Sequence, residues 1–207
     1  MQEEIEQLQK KVKERLATGR YIHTVGVRYT AAALAMRYGV DLEKASLAGV
    51  LHDCAKYCSG DKMLEKAKKY QIPIEEVERQ NPQLLHAKLG AYYARKRYGI
   101  EDEEILSAIR YHTTGRKQMT KLEQIVFLAD YIEPHRKEIP GLQEVRKMAF
   151  VDIDRAVCMT LENTLSYLES QTGQAGPAKA MDPNTMEAYQ YYRALCDSKS
   201  KEGGVTI

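Results

Sequence analysis

Apolar positions recur at steps of three and four along most of the chain, and no run alternates with the period of two that a half-buried strand requires. Residues 2–18 carry Ile5, Leu8, Val12 and Leu16 on one stripe, with Gly19 as a stop. A second helix is predicted from Tyr21 to Tyr38. It is rich in alanine at Ala31, Ala32, Ala33 and Ala35, which allows close packing, and Gly39 closes it. Asp41 is placed to cap a third helix over 42–53. Ser59-Gly60-Asp61 restarts the chain into a short charged helix to about Tyr70, and Pro73 and Pro82 bracket a loop-rich insertion.

Further helices are predicted over 83–98 and 102–112, and from Thr120 through Tyr131, where Thr120 and Glu123 form a capping box. Pro134 and Pro140 confine the next connection, and helices follow near 141–149 and 152–170. A Gly/Ala/Pro stretch over 171–183 reads as a flexible linker, and Asn184 with Glu187 caps a last helix. There is no internal repeat at solenoid periods. The expected architecture is an all-α helical bundle of residues 1–170. A C-terminal helix and tail over 184–207 packs on the same domain yet is detachable from its chemistry.

At 207 residues the chain suits one domain with a substantial core. Its net charge of +2 supplies no basic field for nucleic acid, and no apolar run approaches the ~20 residues of a membrane span. The segment Met1-Gln2-Glu3-Glu4-Ile5-Glu6 is acidic and has no apolar h-region, so no signal peptide is expected. Cys54, Cys58, Cys158 and Cys196 lack paired metal spacing, apart from the first two, and are expected as reduced thiols. A cytoplasmic location follows from these expectations.

The chemistry gathers where helices end. His52-Asp53 closes the apolar run from Ala48 to Leu51, His23 opens the second helix, and His112 closes the one before Thr113-Thr114-Gly115. His86 lies one turn inside its helix, and Asp130 interrupts the apolar run Ile125-Val126-Phe127-Leu128-Ala129, where a buried carboxylate needs a partner. Singly, each has an ordinary reading as a cap, a satisfied core histidine or half of an ion pair. As a set they fit a bundle-core metal site, because facing helices can offer imidazole and carboxylate ligands to a metal pair. Histidine nitrogen with aspartate oxygen suits Fe, Mn, Zn or Mg.

The order His23 … His52-Asp53 … His86 … His112 … Asp130 resembles the HD-domain metalloenzyme superfamily, whose members are all-α. Leu51-His52-Asp53-Cys54-Ala55-Lys56, Tyr111-His112-Thr113-Thr114-Gly115 and Leu128-Ala129-Asp130-Tyr131-Ile132-Glu133-Pro134 resemble its YqeK family, bacterial enzymes that split diadenosine tetraphosphate symmetrically into two ADP. The resemblance covers roughly residues 5–195. It implies that 1–170 is an HD-type metal-dependent phosphohydrolase domain. His23, His52, Asp53 and Asp130 would hold one metal, and His86 and His112 the second, with Asp53 bridging. The family suggests iron, and Mn, Co or Zn suit the same ligands.

Water activated between the metals would attack a phosphorus in the middle of the polyphosphate. Asp53 and Lys56 are then the expected catalytic residues. Lys56, Thr113, Thr114, Gly115 and Arg136 are the expected phosphate contacts, with Arg116 and His135 as further candidates. The implied partner is a small-molecule nucleotide, with neither nucleic acid nor membrane, and a homodimer stays open. Three rival readings share the ligands: a mononucleotide phosphohydrolase (nucleotidase or nucleoside triphosphate hydrolase), oxygen chemistry at a di-iron pair, and a non-catalytic nucleotide sensor. A cyclic-dinucleotide phosphodiesterase is disfavoured because its Gly-Tyr-Pro element is absent.

Overall fold

The three-and-four periodicity is realised as helices along the described residues. A computed structural model, which describes residues 2–171 and 181–202, contains eleven α-helices and, among the described residues, no strand. In order they are α1 (Gln2–Lys13), α2 (Thr18–Tyr38), α3 (Leu42–Leu51), α4 (Gly60–Lys69), α5 (Glu76–Gln80) and α6 (Leu85–Tyr98). Then follow α7 (Glu103–Tyr111), α8 (Lys121–Ile132), α9 (Leu142–Met148), α10 (Ile153–Gln171) and α11 (Pro183–Glu202). A 3-10 turn, Pro82–Leu84, leads into α6.

Local chemistry sets the boundaries. Asp41 Oδ1 accepts from the backbone N–H groups of Glu43 and Lys44 at 2.8 and 2.9 Å and starts α3. At α8 the Thr120 hydroxyl accepts from Glu123 N at 3.2 Å, and the Glu123 carboxylate accepts from Thr120 N at 2.7 Å. Gly39, with φ +65°, takes the left-handed conformation that ends α2.

Three boundaries differ from expectation. Gly19 does not stop the first helix: α1 ends at Lys13, and Gly19 sits in the first turn of α2 with nothing against it. The segment between Pro73 and Pro82 contains α5, which Glu75 and Glu78 open with a reciprocal capping box. The last helix begins at Pro183, and its cap is Asp182, whose carboxylate accepts from Asn184 N at 2.8 Å. Most of the expected linker, 172–180, lies outside the described residues.

The core forms where α2 packs along α3 and α8, with α7 wedged between α3, α6 and α8. Leu34, Leu51, Leu89, Ile109, Ile125 and Leu128 are fully buried there. Each stabilises the fold by about 2–3 kcal/mol through burial alone. Two glycines set how closely the site-bearing helices approach. A Cβ on Gly49 of α3 would come within 2.9 Å of the Arg28 Cα of α2, and one on Gly90 of α6 within 3.2 Å of the His52 carbonyl.

The last helix is integrated into this core. Tyr192 is fully buried, its hydroxyl accepts from Gln124 Nε2 at 3.0 Å, and Thr185 Oγ1 donates to the Thr114 carbonyl at 3.0 Å. No helix of the described residues is long and apolar enough to cross a membrane.

Candidate metal centre

Helix ends deliver the predicted ligands to one point. His52 is the C-cap of α3 with Asp53 directly after it, His112 is the C-cap of α7, and His86 is the second residue of α6. His23 comes from the second turn of α2, further inside that helix than expected, and Asp130 from the last turn of α8. His52, Asp53, His86 and His112 are buried to 2% exposure or less, whereas the Asp130 side chain is 20% exposed and marks the mouth.

The donor atoms form two groups that share one carboxylate. In the first, His23 Nε2 lies 2.9 Å from Asp130 Oδ1, 3.3 Å from His52 Nε2 and 3.9 Å from Asp53 Oδ2. His52 Nε2 lies 3.5 Å from that same Oδ2. In the second, His86 Nε2 lies 3.1 Å from His112 Nε2, and these two atoms are 3.3 and 3.7 Å from Asp53 Oδ1. Ligands about 2.1 Å from a common cation stand about 3.0–3.4 Å apart in octahedral or tetrahedral arrangement. The spacing suits one cation on each side of Asp53.

Hydrogen placement sharpens this test. His52 Nδ1 faces the Gly49 carbonyl at 2.8 Å, His86 Nδ1 the Gln83 carbonyl at 2.5 Å, and His112 Nδ1 the Ile109 carbonyl at 2.7 Å. A carbonyl only accepts, so each Nδ1 carries a hydrogen and Nε2 is the ring atom left to ligate. The Nε2 atoms of these three rings are left facing the Asp53 carboxylate. Asp53 Oδ1 is buried and has no hydrogen-bond donor. A buried carboxylate oxygen without a partner is strongly unfavourable unless a cation joins it. The residues fit metal ions.

Electrostatics agree. Burial pushes the Asp53 carboxyl upward, but the charge and hydrogen bonds of His52 and His112, with His86, hold it well below the usual carboxylate range. Asp130 is also burdened by burial and is drawn strongly down by its His23 bond, by His52 and by Arg136. His86 falls to about 3, through burial and then the Lys56 charge, and so stays a neutral ligand at physiological pH.

The rim is cationic. Lys56 Nζ lies 3.1 Å from His86 Nε2, and burial lowers its pKa. Thr113 Oγ1 is 3.0 Å from both His86 Nε2 and His112 Nε2. Arg136, half-buried, follows α8 closely enough for its charge to act on Asp130 and Lys56.

Other expected contacts face elsewhere. The Thr114 hydroxyl donates to the Gly115 carbonyl, and the Gly115 N–H is committed to the Tyr111 carbonyl. Arg116 pairs with the buried Glu123 at 2.9 Å, and His135 is exposed. Thr114 lines a cleft of about 630 Å³ together with Leu84, Ala87 and Lys88, and none of the candidate metal ligands lines it.

Two residues escaped the sequence reading. Arg20 Nη1 pairs with Asp53 Oδ2 at 2.8 Å, and Glu133 Oε1 meets His23 Nδ1 at 3.0 Å. Arg20 stands one helical turn before His23, a spacing that could have drawn attention to it. Glu133 lies inside the Leu128–Pro134 motif.

The chain is similar to known proteins. Residues 20–135 match the HD domain. A symmetrical bis(5'-nucleosyl)-tetraphosphatase of Bacillus subtilis is 45% identical over 157 residues, 76% of this chain and 83% of that protein. Its Staphylococcus aureus counterpart is 41% identical over 166 residues, 79% of this chain and 84% of that protein. A crystal structure from Clostridium acetobutylicum, described as a predicted HD superfamily hydrolase involved in NAD metabolism, is similar at a TM-score of 0.85 and 38% identity. It covers 92% of this chain and 97% of that one. This chain belongs to the HD-domain family, in the branch of the symmetrical bis(5'-nucleosyl)-tetraphosphatases.

Proposed function

We propose that this protein hydrolyses diadenosine tetraphosphate at its central phosphoanhydride and releases two ADP. Two metal ions are held by His23, His52, Asp53, His86, His112 and Asp130. The observation that carries the reading is Asp53, whose Oδ2 faces His23 and His52 while its unpartnered Oδ1 faces His86 and His112. The relatives' activity supplies the substrate class. Iron is the metal the family resemblance suggests, with Mn, Co and Zn compatible with the same donors.

Bound there, the metal pair supplies activated water and positive charge for attack on phosphorus. The chain's own residues do the rest. The ionised Asp53 ties the two ligand groups together, and imidazole ligands, which bring no negative charge, leave the centre cationic toward a polyanion. Lys56 reaches phosphate oxygens as a point charge, and Arg136 can grip one bidentately. Thr113 offers a hydroxyl beside His86 and His112. Thr114 and Gly115 serve by shaping the turn that carries Thr113. Residues 1–170 carry this chemistry, and the C-terminal helix packs on the same domain. A nucleotide substrate and reduced thiols suit a cytoplasmic setting, with neither nucleic acid nor membrane as partner.

The test is to strip the protein, load it with Fe²⁺ or Mn²⁺, and resolve the nucleotides formed from diadenosine tetraphosphate. ADP as sole product is expected. ATP with AMP would place attack one phosphate off centre and overturn the assignment. Faster turnover of mononucleotides would favour the mononucleotide phosphohydrolase, and binding without turnover the sensor.

A further inference from the structure

Three of the four ligand histidines orient their rings against backbone carbonyls at helix ends. His23 lies inside α2, where neighbouring carbonyls serve the helix, and its Nδ1 instead meets the Glu133 carboxylate from α8 at 3.0 Å.

Glu133 is held for that contact. Its carboxylate is buried, its Oε2 accepts from His135 N at 2.7 Å, and its backbone caps α8 in a non-helical conformation. Arg146 of α9 donates to the Ile132 and Glu133 carbonyls at 2.9 and 2.8 Å and so fixes the end of α8. The space for the carboxylate exists because residue 26, nearly one turn beyond His23, is glycine. A Cβ there would overlap Glu133 Oε2 and lie 3.1 Å from its Cδ.

We propose that Glu133 is the positioning residue of His23, admitted by Gly26, and that it orients the ring and strengthens His23 as a metal ligand. A carboxylate behind a ligating histidine fixes its tautomer and raises its basicity, and its loss typically weakens metal binding 10–100-fold. This inference rests on the metal-centre reading, and it assigns a function to a residue for which that reading has none.

The experiment is a double-mutant cycle read by Mn²⁺ titration calorimetry of chelator-stripped protein, so that it does not depend on turnover. His112→Ala cripples the second ligand group and leaves the first. In that background, Glu133→Gln is expected to weaken the Mn²⁺ site held by His23 by roughly 10–100-fold. Gly26→Ala should do the same by displacing the carboxylate.

In a His23→Ala background, Glu133→Gln should change Mn²⁺ affinity less than threefold, because the residue acts through that ring. Unchanged affinity in the His112→Ala background, or equal losses in both backgrounds, would overturn the proposal. If Glu133→Gln lowers the melting temperature of stripped protein, Gly26→Ala carries the comparison. Wild-type protein that takes up a single Mn²⁺ equivalent would instead contradict the two-metal reading, and the cycle would still report on whichever ion His23 holds.

Discussion

A histidine three residues after a carbonyl of a helix's last turn can donate Nδ1–H back to that carbonyl and leave Nε2 free to ligate. His52 and His112 use this geometry at the ends of α3 and α7, and His86 uses it on the 3-10 turn before α6. Replacing His86 or His112 with alanine should therefore remove one metal equivalent, while Asp53→Ala should disturb both and abolish turnover. Metal analysis of the stripped and reloaded variants checks each outcome. Arg136→Lys keeps the charge and loses the fork. One charge-assisted hydrogen bond is worth about 1.5–3 kcal/mol, so kcat/KM should fall roughly ten- to hundredfold. The six candidate ligands were legible as a set, in an order that resembles the HD-domain pattern, although singly each reads as an ordinary cap, core histidine or ion-pair partner. Arg20 and Glu133 were not, because a charged residue on a helix or at its end looks ordinary until the fold supplies its partner. Glu133 meets His23 across 110 residues of chain.

At the scale of elements, long helices were readable because each repeats its apolar stripe over several turns. The five residues of α5 were too few for a period to show, and the α11 cap was placed two residues late because Asn184 and Asp182 are both plausible caps. How α11 docks could not be read at all, since it depends on side chains from three helices. Asp154 of α10 gathers them: it accepts from Gln124 Nε2 of α8 at 2.7 Å and from Lys199 Nζ of α11 at 2.8 Å. Burial pushes the Asp154 carboxyl up, but the bonds from Lys199 and Gln124 hold it below its ordinary value. A carboxyl depressed on folding stabilises above its unfolded pKa of about 3.9 and loses that contribution as pH falls through the folded value. Melting temperature measured from pH 6 to pH 2 should thus fall less steeply below about pH 4 in Asp154→Asn than in wild type. Tyr192→Ala, which empties a fully buried aromatic site, should cost about 3–5 kcal/mol in denaturant unfolding and leave the metal count unchanged.

For the molecule as a whole, a net charge of only +2 conceals a local arrangement: Arg20, Lys56 and Arg136 stand close to Asp53 and Asp130 of the candidate metal centre. A tetraphosphate can be recognised at that rim without a basic surface elsewhere. Truncation after residue 170 removes none of the six ligands but removes Ala188 and Tyr192 from the core. The shortened chain should keep its metal equivalents while melting at lower temperature, and loss of both metals would show that α11 supports the centre itself. The central claim is that Asp53 joins two cations. The most direct test is a crystal of metal-loaded protein examined by anomalous scattering at the edge of the loaded metal. Two anomalous peaks are expected, one on the Oδ2 side of Asp53 with His23, His52 and Asp130, the other on the Oδ1 side with His86 and His112. A single peak, or two peaks that do not share Asp53, would contradict it.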